Sequence, residues 1–276
     1  MHRTPAQLCS GRPTLVAVKN LTSRDNPRLK QLRRWATQGR VRREDGAILL
    51  DGLHLIDALL ASGGEVEELV VSESGLRNPE ISAWLAGHGG LNAVRIPDAL
   101  FAEIAVTETP SGILGVARAA PPRRRIENDQ DCIMLDGVQD PGNVGTLLRT
   151  AAAAGITQAL LGPGCADAWA PKTLRAGQGA QFELGIHENG DLVAALAAYG
   201  GTSVVTRLDD ASVSLYETAL EGPVAWVFGA EGHGVSAPVS AAADLGIHIP
   251  MPGRMESLNV AAAAAICLFE MVRRRS

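Results

Sequence analysis

No stretch of this 276-residue chain carries the roughly 18 to 20 consecutive apolar residues that a membrane-spanning helix needs, so no span is expected. Residues 1–20 are basic and lack an apolar stretch leading to a cleavage site, and the expectation is a cytoplasmic protein. Cysteine is scarce too. Cys9, Cys132, Cys165 and Cys267 lie far apart, with no Cys-x-x-Cys and no nearby histidine pair, which argues against structural zinc and against a disulfide framework. All four read as reduced, mostly buried thiols. The chain also lacks G-x-G-x-x-G: in Phe228-Gly229-Ala230-Glu231-Gly232-His233-Gly234 the second glycine position holds Glu231, which disfavours a dinucleotide-binding oxidoreductase.

The composition that is present is globular, with 46% hydrophobic and 20% charged residues and a mean hydropathy of +0.08. The length suits two modest domains. The net charge of −5 conceals an asymmetry, because residues 1–45 hold eleven Lys plus Arg against only Asp25, Glu44 and Asp45, a balance of +8 that leaves −13 elsewhere. Arg24, Arg28, Lys30, Arg33, Arg34, Arg40, Arg42 and Arg43 recur along a helix-like stretch in which Leu29, Leu32 and Trp35 mark an apolar stripe. One face packs and the other is cationic, either as a solvated helix surface or as a footprint for a phosphate backbone.

Residues 47–117 alternate short apolar runs (48–50, 69–71, 113–116) with helix-like stretches (53–61, 80–86), which predicts a small α/β domain. The prolines and arginines of 119–125 mark the boundary. The expected organisation is a flexible tail over 1–18, a substrate-binding domain over 19–120, a linker over 121–128 and a second domain over 129–276. In that second domain 132–138, 159–161, 183–187, 203–207, 224–229 and 246–250 read as strands. Helices are expected over 146–154, 191–199 and 258–274, with Gly155 and Gly200 at C-caps. Several strands are apolar on successive residues, which predicts a mostly parallel sheet covered on both faces.

In such sheets ligands bind beyond the carboxyl ends of the strands. Three loops there carry polar residues. The first, 136–145, leads into a helix with Asn143 at its start, suited to an N-cap, and Arg149 beyond. The second holds Glu231 among glycines, with His233 as a solvated neighbour. The third, 249–260, holds Ser257 and Asn259 ahead of five alanines, where capping and close helix packing are the plain explanations.

The order and spacing of Asn143 to Arg149, Gly229 to Gly234 and Ile249 to Val260 resemble the three motifs of the SpoU (TrmH) branch of the SPOUT methyltransferases. Upstream, Leu21 to Lys30 and Leu50-Asp51-Gly52 are similar to the ribosomal-protein-like substrate-binding domain that precedes many rRNA-type members. The resemblance implies an α/β fold with a trefoil knot, a homodimer, S-adenosyl-L-methionine as cofactor, no metal, and methylation of a ribose 2′-hydroxyl of RNA. Ribosomal RNA is the leading substrate, with tRNA or a non-catalytic RNA-binding role as alternatives. It also implies catalytic roles for Asn143, Arg149, Glu231, Ser257 and Asn259, and cofactor contacts, largely through backbone, at Thr206, Gly229, Ile249, Met251 and Leu258. RNA contacts are expected from Arg24, Arg28, Lys30, Arg33, Arg34, Arg42 and Arg43. Three positions depart from the family pattern: Gly177 stands where a Ser is usual, Asp51 where a Glu is usual, and Ser111 where a Gln is common.

Overall fold

Asn26 and Pro27 start the first helix of the computed structural model, which describes residues 19–107, 109–118, 126–209, 211–255 and 257–276. The expected tail over 1–18, with Cys9, and the arginines of 123–125 lie outside the described residues. After β1 (Lys19–Asn20), α1 (Pro27–Thr37) opens where the Asn26 side chain accepts from the Arg28 amide at 2.9 Å and Pro27 fills the first turn. Leu29, Leu32 and Trp35 are its buried residues, as the helical spacing predicts. Then follow α2 (Gly39–Glu44), β2 (Ala47–Asp51), α3 (Leu53–Ala61), β3 (Glu68–Ser72), α4 (Glu73–Arg77), α5 (Pro79–Gly87), β4 (Ala93–Ile96), α6 (Asp98–Ile104) and β5 (Ile113–Arg118). The sheet order is β1-β4-β3-β5-β2, with β1 and β3 parallel to β4 and β5 antiparallel to β3. Its core joins the α1 stripe to Val70, Val94, Ile96, Leu114 and Val116, with Leu100, Phe101 and Ile104 of α6.

The second sheet is built from β6 (Cys132–Asp136), β7 (Gln158–Leu161), β8 (Gly185–Glu188), β9 (Thr202–Thr206), β10 (Val213–Ser214), β11 (Val224–Gly229) and β12 (Leu245–His248). Its order is β10-β12-β9-β11-β6-β7-β8 and every pairing is parallel. Between the strands lie α7 (Pro141–Ala153), α8 (Pro171–Gly177), α9 (Ala180–Glu183), α10 (Leu192–Ala197), α11 (Ala237–Ala242) and α12 (Val260–Arg275). One face of the sheet, with Ile133, Leu135, Trp226 and Phe228, packs against Val144, Leu147 and Leu148 of α7 and Ala264, Cys267, Leu268 and Met271 of α12. The other, with Cys132, Met134, Val205 and Val227, packs against Leu192 and Leu196 of α10 and Val239 of α11. Successive strand residues are thus buried on opposite faces, which is why these strands read as unbroken apolar runs. Burial pushes the Cys132 and Cys267 thiols up to about 12, so both stay protonated and inert.

By contacts, the described residues up to Leu53 group with Val66–Ala117, and His54–Glu65 group with the described residues from Arg118 onward. Within that second unit α3 packs closely on the turn after α8, where a Cβ added at Gly179 would fall 2.6 Å from Ala58. Two details differ from the sequence reading. Glu183, expected in a strand, ends α9, because Gln178 and Gly179 both take left-handed conformations (φ 51° and 91°) and restart a helix before β8. Gly155 does take the positive φ of a helix C-terminus (83°), whereas the Gly200 amide instead bonds Asn128 at 2.7 Å.

Candidate active site

The first motif helix starts at Pro141, five residues before the expected 146, and its cap falls three residues ahead of Asn143, which determines what Asn143 can do. The N-cap of α7 is Asp140, whose Oδ1 accepts from the Asn143 amide at 2.9 Å, with Pro141 in the first turn. Asn143 is therefore not the cap, and its side chain is free to reach outward. Its Nδ2 donates to Glu231 Oε1 at 2.7 Å. Asn259, by contrast, is the N-cap of α12: Oδ1 accepts from the amides of Ala261 at 2.9 Å and Ala262 at 3.4 Å. Its Nδ2 donates to Asn143 Oδ1 at 3.2 Å.

Those four contacts fix the orientation of both amides. A backbone N–H can only donate, so the start of α12 must face the oxygen of Asn259, which turns the Asn259 nitrogen toward Asn143. The atom of Asn143 that meets it is then the oxygen, and the Asn143 nitrogen is left for the Glu231 carboxylate. A helix terminus thus sets, through two amides, the position of an acid on another strand's loop. The loop that carries Glu231 is itself closed by two backbone bonds between Ala230 and Gly234, at 3.1 and 2.8 Å. It is further tied to the end of β6 by the Ser236 amide donating to Asp136 at 2.7 Å. The Gly229 position needs glycine because an added Cβ would lie 2.0 Å from the Gly234 carbonyl carbon, so the chain's own backbone, not an approaching ligand, accounts for it.

The other expected residues are placed as follows. Arg149 is exposed on α7 and makes no hydrogen bond or ion pair among the described residues. Six residues along a helix put it about 9 Å from Asn143 and about 120° around the axis, so one chain alone does not aim it at the Asn143 to Glu231 contact. Ser257 and His233 are exposed. Thr206 ends β9 beside Ile247, half-buried, its hydroxyl without a partner among the described residues. Ile249 and Met251 are half-buried, Leu258 is 41% exposed and Met255 74%. A free hydroxyl and uncovered apolar side chains beyond the carboxyl ends of adjacent strands suit a ligand that is part apolar and part polar. Among the described residues no group of three or more His, Cys, Asp or Glu is placed to hold a metal ion.

A cavity of about 690 Å³ opens instead at the amino ends of β6 and β11, lined by Asp131, Leu220 and Arg274 among others. Its cations are already satisfied: Arg275 pairs with Asp131 at 2.5 Å, and Arg274 donates to the carbonyls of Leu215, Tyr216 and Thr218. These contacts latch the end of α12 to the chain and leave neither arginine free.

In the first unit the basic stretch proves only partly free. Arg42 is buried at 5% exposure. Arg28 is held by Glu68 at 2.7 Å and lies over the Trp35 ring at 5.0 Å, and Arg33 pairs with Glu103 at 2.5 Å. Acids distant in sequence thus supply counter-charges for Arg28 and Arg33 that are missing locally, and all three residues are engaged within this unit. Arg24 and Lys30 remain largely exposed beside Glu103 and Asp25, Arg43 is exposed, and Arg34 is exposed with no ion pair among the described residues.

The three departures also have physical accounts. Asp51 accepts from Thr107 Oγ1, from Ser111 Oγ at 2.7 Å and from the Ser111 amide at 3.2 Å, so the shortened acid and the small hydroxyl partner each other. Gly177 faces the buried Gln181, whose Oε1 would stand 2.4 Å from an added Cβ. Two groups that border the site escaped the sequence reading. Asp140 was readable from its place just before Pro141, the usual signature of an N-cap followed by proline. The neighbouring Lys172, 3.7 Å from Asp140, had no local signal.

A doubly covered parallel sheet whose polar residues gather at its carboxyl edge defines an α/β enzyme unit, here joined to a smaller α/β unit. Residues 131–269 match the SpoU rRNA Methylase family, and residues 26–115 match the MRM3-like substrate binding domain. The chain belongs to the SpoU rRNA methylase family, and its second unit has the SPOUT fold. It is 31% identical, over 92% of its own length and 99% of the relative's, to the 23S rRNA (guanosine(2553)-2′-O)-methyltransferase RlmP of Bacillus subtilis. Among solved structures, an RNA 2′-O ribose methyltransferase superposes with a TM-score of 0.78 at 30% identity, covering 93% of this chain and 99% of that one. The AdoMet-bound rRNA methyltransferase of Sinorhizobium meliloti gives 0.77 at 29% identity, covering 94% and 98%.

Proposed function

We infer that this chain is an S-adenosyl-L-methionine-dependent methyltransferase acting on a ribose 2′-hydroxyl of RNA, with ribosomal RNA as the substrate. The observation that carries the reading is the contact chain from Asn259 through Asn143 to Glu231, which joins all three motif loops by side-chain hydrogen bonds. The substrate would put the activity in the cytoplasm. Thr206, Ile249, Met251 and Leu258 would hold the cofactor, which supplies an electrophilic methyl group on a sulfonium. The remaining tasks fall to the chain. The ribose hydroxyl must be held in line and must lose its proton as its oxygen takes the methyl group. Among the described residues only Oε1 of Glu231 is engaged, by Asn143, which leaves its second oxygen to orient that hydroxyl. Arg149 is suited to stabilise the negative charge developing on the oxygen, because a guanidinium is a donor with no acceptor and a poor base.

We further propose that the enzyme is a homodimer whose C-terminal segment closes the trefoil knot of the fold. Two features support a dimer. α12 leaves Phe269 47% exposed, in line with Ala262 and the half-buried Ile266. Arg149, turned away from Asn143 of its own chain, is then supplied by the partner. Arg149→Ala should abolish transfer while leaving cofactor binding and folding intact. Mixing Arg149→Ala with Asn143→Ala chains should restore about a quarter of normal activity, since half the dimers would carry one complete site. An active Arg149→Ala protein would refute the assignment, and no recovery on mixing would place Arg149 in its own chain's site.

A further inference from the structure

From the charges of the second unit we infer that Lys172 and Arg175 form a phosphate-backbone contact beside the active site, separate from the basic helices of the first unit. The proposal rests on the RNA methyltransferase reading and names residues for it. Residues 126–276 hold eight Lys plus Arg against seventeen acids, a surface that repels RNA overall. The cations that remain are not scattered. Arg273 and Arg274 pair with Glu270, Arg275 with Asp131 and Arg207 with Asp209. Arg149, Arg175 and, in the third motif loop, Arg254 have no ion pair among the described residues, and Lys172, 71% exposed, has only a long contact of 3.7 Å to Asp140.

Lys172 and Arg175 stand one turn apart on the exposed side of α8. That helix lies directly against the start of α7, where an added Cβ at Gly145 would fall 2.4 Å from the Thr173 carbonyl and 2.6 Å from Ala176. Asp140, the group Lys172 touches, is the N-cap that bonds the Asn143 amide. Lys172 therefore stands beside the cap that positions Asn143, and α8, with Arg175, is held against α7 by a rigid, close-packed helix crossing. A ribose bound there brings its flanking phosphates with it, and in a unit of this charge those phosphates need local cations. α8 supplies them without touching the reacting atoms, so the two residues bind and orient substrate and take no part in the chemistry.

The test is equilibrium binding of in vitro-transcribed 23S rRNA by the full-length protein across several salt concentrations, with methyl transfer measured in parallel. The double variant Lys172→Gln, Arg175→Gln should weaken RNA binding roughly tenfold at low salt and flatten the log–log salt dependence by about 1.4, near 0.7 per lost contact. Cofactor affinity and turnover at saturating RNA should stay unchanged. The charge-keeping swap Lys172→Arg, Arg175→Lys should bind RNA normally. An unchanged affinity and slope in the neutral variant would overturn the proposal, because the pair would then be ordinary solvated surface. Failure of the unmodified protein to methylate the transcript would sink the enzymatic reading instead. The binding slopes would still decide the role of α8.

Discussion

Asn259 does two jobs with the two halves of one amide, and substitutions can separate them. Its oxygen caps α12 and its nitrogen orients Asn143. Asn259→Ala removes both. Losing the cap should cost about 1 kcal/mol, which for a unit of this size lowers Tm by about 2 to 4 °C. Asn143 would also lose the donor that fixes its amide, and one positioning hydrogen bond of about 1.4 kcal/mol corresponds to roughly tenfold in kcat. Asn259→Asp keeps an acceptor for the Ala261 amide and adds a negative charge at a helix N-terminus, so Tm should hold or rise slightly. It nonetheless sets a carboxylate oxygen against Asn143 Oδ1. The contact becomes repulsive unless the Asn143 amide flips, and the flip would point its oxygen at Glu231. Activity should therefore fall further than in the alanine variant, on the order of 100-fold. The two orders differ in the place of Asp: stability runs Asp at or above Asn, then Ala, whereas activity runs Asn, then Ala, then Asp. Thermal unfolding and single-turnover methyl transfer on the three proteins test this directly. Activity that simply follows Tm would refute the argument, since Asn259 would then act only as a cap.

Arg28 and Arg34 lie on the same helix but should behave differently. Arg28→Ala leaves Glu68 without its partner and uncovers Trp35, so it should destabilise the first unit by about 2 kcal/mol in denaturant titration. Arg34→Ala should leave stability unchanged and weaken RNA binding with a shallower salt slope. Phe269→Glu places a charge on the exposed stripe of α12 and should give a folded, inactive monomer in sedimentation, whereas an active dimer would exclude that stripe as the interface. Glu270, held down to about 2 by Arg273 and Arg274 against an ordinary 4.5, contributes stability that is complete above its unfolded value and is lost as pH falls through the folded one. Thermal scans of Glu270→Gln should consequently show a smaller loss of Tm between about pH 5 and pH 2 than the unmodified protein; an equal loss would mean that the pairs with Arg273 and Arg274 add nothing.

What could be read from the sequence were the features that local physics dictates. The stripe of Leu29, Leu32 and Trp35 follows from helical spacing, and strands such as Val224–Gly229 show themselves as apolar runs because both faces are covered. The elements that went unseen are short: β1 and β10 at sheet edges, α4, β4 and α6 in the first unit, α8 and α9 around a double left-handed turn, and α11. Each is held by its neighbours more than by its own pattern, so periodicity carries little trace of it. Local charge counting missed the partners of Arg28 and Arg33 for the same reason, because Glu68 and Glu103 reach them from other elements. The candidate site shows the limit most clearly. Asn143, Glu231 and Asn259 were each explicable as a cap or a loop residue, and nothing in their spacing says that they touch. Family resemblance grouped them, and the fold supplied the hydrogen bonds that explain the grouping.

The most direct test of the account is to incubate the purified chain with S-adenosyl-L-methionine and in vitro-transcribed 23S rRNA, then map ribose 2′-O-methylation along the RNA by mass spectrometry. The account predicts methylation at a defined nucleotide, lost in Asn143→Ala while cofactor binding and Tm are retained. A base-methylated product, or undiminished ribose methylation by Asn143→Ala, would contradict it.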